Sequence, residues 1–393
     1  MKKIFFALFF VSILFISHIA DAADSFIDKS NQWWREAKPE NISEVIKAGG
    51  NINETNEDGL TPLMLAAKYN EDPQVVETMI KNGANLFAQT QTGLTALMLA
   101  AGSNANPQVV DVMIKNGADN NAKTFDSVTP LMYAAAYNDN PNMIYTLVKY
   151  GSDVNLKNDK GVTPLMYAVS LNKNFDVIKA LIDSGADVNA RNSSGATILM
   201  IAAQYNETAD IINELVKLGM DINARNNAGA TVLMVTAQQN KNPQVIDVLM
   251  KYGSDLSKRD NVGATPLMYA ASRNENPKVI EKLIEYGDKV NTRDNYGANA
   301  LMYAVSNNEN PKVIEILLQK GAQINKKDDR GLTPLMYAAA TTKKPEIIEV
   351  LLKNGANPKI KDSAKKTALD YAKNNKYLVG TDVYWRINDG MYE

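Results

Sequence analysis

The chain of 393 residues carries 42 basic and 44 acidic side chains, a net charge of −2, and 45% hydrophobic residues. This is the composition of a soluble globular protein, with no bulk electrostatic affinity for nucleic acid. It has no cysteine and a single histidine, His18, which excludes disulfides, a thiolate nucleophile and, beyond His18, the usual zinc ligand sets and histidine-based acid–base or triad chemistry.

The first predicted element is an export signal. Lys2 and Lys3 are followed by an apolar run from Ile4 to Ile16, broken only by Ser12, and Ala20-Asp21-Ala22 fits the small-x-small cleavage rule. Residues 1–22 are therefore expected to be removed, leaving a periplasmic or secreted chain that begins at Ala23. An uncleaved anchor is the alternative, but the run is shorter than the roughly 20 residues a bilayer span needs. No cysteine follows it to carry a lipid, and no later segment is apolar enough to span a membrane. Heavy use of Lys, Asn and Ile points to an AT-rich bacterial genome.

From Gly59 one phrase, GLTPLMLAA, returns every 34 residues, at Gly93, Ser127, Gly161, Gly195, Gly229, Gly263, Gly297 and Gly331. A fixed period of this size means a stacked array. The reading is a divergent N-terminal capping repeat over 23–58, nine full repeats over 59–364 and a divergent C-terminal capping repeat over 365–393.

Each repeat predicts two helices and a hairpin or turn. Thr61 is an N-cap and Pro62 the first helical residue. Asn70 and its equivalents are expected to end that helix in the left-handed conformation. Asp72-Pro73 caps a second helix whose Val75, Val76, Met79 and Ile80 share one stripe, and Gly83 stops it. The N-terminal Phe26, Trp33 and Trp34 are expected to cover one end of the stack. Tyr377, Leu378, Val383, Tyr384, Trp385 and Ile387 are expected to cover the other.

The TPL at the first helix, the paired alanines, the NG-A-N/D turn and the period together resemble the ankyrin repeat over about residues 25–390. The tetratricopeptide repeat has a similar length, but its Trp/Leu-Gly/Tyr pattern is missing. The resemblance implies an all-α ankyrin-repeat solenoid that binds proteins through its hairpin tips and first helices. Two departures stand out. The period is one residue longer than the family's, and Met64, Met98, Met132, Met166, Met200, Met234, Met268, Met302 and Met336 stand where the family has histidine. A copper(I) site of soft sulfurs is conceivable there; a packed core position is the favoured reading.

Candidate contacts follow from the resemblance. Among the residues of the tips and first-helix ends, Phe125, Tyr137, Tyr205 and Tyr296 are the aromatic members expected to act as contact anchors. Lys123, Lys157, Arg191, Arg225, Arg259, Arg293, Lys327 and Lys361 hold one hairpin position in successive repeats. They read either as a docking track for an acidic partner, strongest at Lys157, Arg191 and Arg225, or as framework neutralised by Asp260, Asp294, Asp328 and Asp362. Tyr133, Tyr167, Tyr269, Tyr303 and Tyr337 form a further ladder, expected to pack between repeats. Catalysis could rest only on groups such as paired carboxylates, and no repeat carries the extra loop an active site needs. The expectation is a monomeric, non-catalytic protein–protein interaction module or scaffold outside the cytoplasm, with no cofactor, metal or nucleic acid. A secreted effector acting on a host protein is the alternative.

Overall fold

The computed structural model describes residues 25–390; the expected signal at residues 1–22 lies outside the described residues. Two compact units are present, one ending at Val188 and the other beginning at Asn189. In the first, a helix pair at Asn31–Glu36 and Pro39–Lys47 precedes four more: Pro62–Tyr69 with Pro73–Lys81, Ala96–Ser103 with Pro107–Lys115, Pro130–Tyr137 with Pro141–Lys149, and Pro164–Leu171 with Phe175–Asp183. The second holds Ile198–Tyr205 with Ala209–Lys217, Val232–Gln239 with Pro243–Lys251, Pro266–Arg273 with Pro277–Glu285, Ala300–Asn307 with Pro311–Gln319, and Pro334–Thr341 with Pro345–Lys353. It ends with Ala368–Ala372 and Asp382–Asp389. Within each unit, first helices pack on first helices and second on second. The described residues form no strand; isolated antiparallel bridges join Arg191 to Thr197 and Arg225 to Thr231. The fold is all-α.

The local sequence explains each boundary. Thr61 Oγ1 accepts the Met64 N–H at 3.3 Å, and in one repeat Asn299 Oδ1 takes over, accepting from Met302 N at 3.1 Å. The first helix is buried nearly all round, from Pro62 through Ala67, because a neighbour covers either side. The second helix buries one stripe, Val75, Val76 and Met79. It closes at Gly83, φ +90°, where the Ala84 N–H reaches back to Met79 O at 3.0 Å. Ser127 and Lys365 replace the hairpin glycine and sit at φ +59° and +66°, which L-residues adopt at some cost.

The asparagine after the first helix has a different role from the expected one. Asn70 is extended, φ −98° and ψ 124°, not left-handed. Its value lies in the amide, which has two donors and an acceptor. Asn104 Nδ2 donates to Ala67 O at 2.9 Å and Asn70 O at 2.7 Å in the preceding repeat. Its Oδ1 accepts from Asn106 N at 2.9 Å. Asn138, Asn240, Asn274 and Asn308 repeat this bonding, and every one is buried. Carbonyls orphaned by the helix end are thus satisfied by the next repeat. Thr342 breaks the series: its hydroxyl is engaged with Lys344 O at 3.1 Å.

The methionines at the repeat position are fully buried from Met64 through Met268, and Met302 and Met336 are 1% exposed. At the N-terminal end, Phe26 and Trp34 are buried, stacked with ring centroids 6.0 Å apart, and Trp33 meets Trp34 edge-on at 4.9 Å. At the C-terminal end Leu378, Val383 and Ile387 are buried. Tyr377 and Trp385, expected in that cover, instead stand 44% and 54% exposed; Trp385 lies on the outer face of Asp382–Asp389, which turns Val383 and Ile387 inward. No helix among the described residues is long and apolar enough to cross a membrane.

Candidate functional site

The hairpin tips are tied to each other by backbone. Phe125 N donates to Thr92 O at 3.3 Å in the first unit. In the second, Asn227, Asn261, Asn295 and Asp329 donate to Ser194, Ala228, Val262 and Tyr296 respectively, at 2.9–3.1 Å. The tips are therefore a rigid platform on which side chains can vary freely.

Among the described large hydrophobic residues the four aromatic candidates, two in each unit, are the most exposed beside Phe87. Phe125 is 74% exposed, Tyr296 64%, Tyr137 61% and Tyr205 55%. Phe125 stands on a tip of the first unit, and Tyr137 ends a first helix there, 6.0 Å from the Tyr133 ring. Tyr205 ends the first helix Ile198–Tyr205 of the second unit. Tyr296 walls a groove of about 600 Å³ lined also by Met302, Tyr303, Asp329, Arg330 and Tyr337.

The basic stripe is engaged with the frame. Arg191 Nη1 donates to Gly195 O and to Arg225 O in the next repeat, both at 2.7 Å. Arg259 Nη1 does the same with Gly263 O at 3.2 Å and Arg293 O at 2.6 Å. Arg293 donates to Gly297 O at 2.9 Å and Lys327 O at 3.4 Å, and pairs with Asp329 at 2.7 Å. Lys327 Nζ reaches Lys361 O at 2.9 Å. Arg225 lies against its own hairpin, its Nη2 2.6 Å from where a side chain on Gly229 would begin. Lys157 is exposed. These bonds fix one repeat to the next through charge-assisted contacts to backbone carbonyls.

The aspartates expected to neutralise the stripe are bonded elsewhere. Asp260 Oδ1 accepts from Val262 N and Ala264 N at 3.0 and 2.8 Å, and its Oδ2 from the Tyr269 hydroxyl at 2.8 Å. Asp294 with Tyr303, Asp328 with Tyr337 and Asp362 with Tyr371 repeat the pattern. Burial and the carboxylate bond push the Tyr269 and Tyr303 hydroxyls far above the ordinary range. The Asp362 bond, with burial, pushes Tyr371 up to about 12. In the second unit Tyr269, Tyr303, Tyr337 and Tyr371 are thus hydroxyl donors to a carboxylate, each partly buried. Asn158 replaces the carboxylate beside Tyr167, donating to its hydroxyl at 3.0 Å. The constant spacing of nine residues between acid and tyrosine was the sequence signal for these pairs.

Asp288 is a lone buried acid outside these rows. Burial raises its carboxyl to about 6, opposed by the Leu267 N–H, which donates at 2.8 Å. Among the described residues no group of three His, Cys, Asp or Glu side chains could hold a metal ion.

A family model described as ankyrin repeats, three copies, matches residues 35–124, 104–192, 131–226, 171–260, 233–328 and 301–383. No curated protein matches the sequence. Among solved structures, the chain is similar to the human ASB11 ankyrin repeat domain, with 23% identity and a TM-score of 0.49, over 57% of this chain and 97% of that one.

Proposed function

The chain belongs to the ankyrin-repeat family, and we propose that it is a non-catalytic module that holds a protein partner against its hairpin tips and first-helix ends. Members of this family are in general non-enzymatic and mediate protein–protein interaction. The observation that carries the reading is that each unit displays two aromatics more than half exposed, Phe125 and Tyr137 in the first and Tyr205 and Tyr296 in the second. Large apolar side chains displayed on rigid supports are what binding hot spots are made of. Arg191, Arg259 and Arg293 are assigned first to holding repeats together, because their guanidinium groups are engaged by backbone carbonyls. Arg225 keeps its place as a candidate contact for an acidic segment of the partner.

The site of action we propose is outside the cytoplasm, on the strength of Lys2, Lys3, the apolar run to Ile16 and the Ala20-Asp21-Ala22 sequence. Periplasmic scaffold and secreted effector share this physics and differ in destination. Affinity capture from the producing cell's envelope and medium tests the module, using the full chain beside a variant with the four aromatics changed to alanine. A partner held by the first and lost by the second, at unchanged melting temperature, supports the aromatic surface. Retention by both moves the contact to the basic stripe. Capture of nothing from either fraction, with a partner found in a foreign cell extract, favours the effector.

A further inference from the structure

Of the four acid–tyrosine pairs, Asp328–Tyr337 holds a guanidinium of the chain itself, and Asp294–Tyr303, one repeat earlier, does not. At the first, the Tyr337 hydroxyl donates to Asp328 Oδ2 at 2.9 Å and accepts from Arg330 Nη2 at 2.9 Å. The Arg330 guanidinium lies 5.9 Å from the centre of the Tyr337 ring, and its Nε is 3.5 Å from Asp328 Oδ2. A guanidinium thus rests on a phenol and the carboxylate behind it, satisfying both the ring face and the charge.

Thirty-four residues earlier, Tyr303 donates to Asp294 Oδ2 at 2.8 Å in the same way. The position of Arg330 is here Tyr296, which brings no charge. Asp294 accepts from Tyr296 N and Ala298 N at 2.9 Å and from Tyr303, all neutral donors. Its negative charge is solvated by dipoles without being countered. The neighbouring charges are already committed: Asp329 pairs with Arg293 at 2.7 Å, and Arg330 with Asp328. The groove of about 600 Å³ lies over this pair, walled by Tyr296 and floored by Met302 and Ala298. That is a volume typical of ligand pockets and more than one side chain fills.

We propose that the groove receives an arginine side chain of the partner polypeptide, seated on Tyr303 and Asp294 as Arg330 is seated on Tyr337 and Asp328. Apolar residues flanking that arginine lie against Tyr296, which is 64% exposed. The occupant follows from charge complementarity: the one uncompensated charge at the site is negative, and the protein's own example shows which group fits it. The inference deepens the protein-binding reading and rests on it.

Capped pentapeptides Ala-Leu-Xaa-Leu-Ala, with Arg, Gln or Glu as Xaa, test it by calorimetric titration of the full chain. The expected result is binding of the Arg peptide about tenfold tighter than the Gln peptide, with the Glu peptide weakest. Tyr303→Phe keeps the ring and removes the oxygen, so the preference for arginine should shrink. Tyr296→Arg supplies the guanidinium from within the chain, as Arg330 does, and should abolish binding of the Arg peptide without lowering the melting temperature. Equal binding of the three peptides, no binding of any, or an Arg preference that survives Tyr296→Arg would overturn the proposal. A partner still captured through the aromatic surface in such a case would leave the protein-binding reading intact.

Discussion

At the scale of the residue, one side chain does the bonding that several backbone groups need. Asn274 is buried, donates to Ala237 O and Asn240 O at 2.8 Å each, and accepts from Asn276 N at 2.9 Å. Asn274→Ala leaves two carbonyls and one N–H without a partner in the interior, so a loss of about 2–4 kcal/mol is expected in urea unfolding. Asp288 acts in the opposite sense. Its folded value of about 6 lies above its ordinary 3.8, so the folded state holds the proton more tightly. Its contribution is therefore most favourable below pH 4 and is lost as pH rises through 6. Alanine occupies the equivalent place at Ala84, Ala118, Ala186, Ala322 and Ala356. Asp288→Ala should raise stability at pH 7.5 by about 1–2 kcal/mol, and the gain should vanish near pH 4. Melting curves of both proteins across that range decide it.

At the scale of the element, what matters is how one repeat is fastened to the next. Thr342 interrupts the asparagine series, and the counterpart donor would reach Val305 O and Asn308 O. Thr342→Asn should restore those bonds and stabilise the last helix pairs by about 1 kcal/mol. Hydrogen exchange should report it as slower exchange confined to residues beyond Pro334. On the hairpin side, Arg259 bonds carbonyls of two repeats, whereas Lys327 manages with one, Lys361 O. Arg259→Lys should then lower the melting temperature less than Arg259→Gln. Equal losses would mean that the aliphatic stem, not the guanidinium, holds the hairpins.

At the scale of the molecule, the period made the fold legible. Helix ends, turns and buried stripes were readable because each is set by a few local residues: threonine before proline, glycine after the second helix, methionine inside. Bonds between repeats were less readable. Asn70 and its equivalents were visible as a series, but the reason for them was not, since an amide reaching 34 to 37 residues back leaves no mark on local propensity. Likewise Asp294 adjoins Arg293 along the chain, but it accepts from Tyr296 N, Ala298 N and the Tyr303 hydroxyl, and a sequence shows neighbours along the chain and not across the turn. The groove over Tyr303 depends on Tyr296 standing where Arg330 stands later, a difference that signals nothing until both sites are seen in space. Repeat arrays gain stability largely from neighbouring contacts, so excision of residues 229–262 should leave a folded protein. Its urea m-value should fall by roughly a tenth; loss of folding would show that the repeats are not interchangeable.

The sealed methionines carry a further consequence. A thioether that becomes a sulfoxide turns from an apolar chain into a polar one, and oxidant can reach Met132 or Met234 only when their repeats part, since both are fully buried. Each repeat thereby holds its own chemical clock for opening. Exposed to dilute peroxide, the chain should be marked in order of local opening, with Met336, beside the interrupted asparagine series, modified ahead of Met132, and each mark wedging open the repeat that bears it.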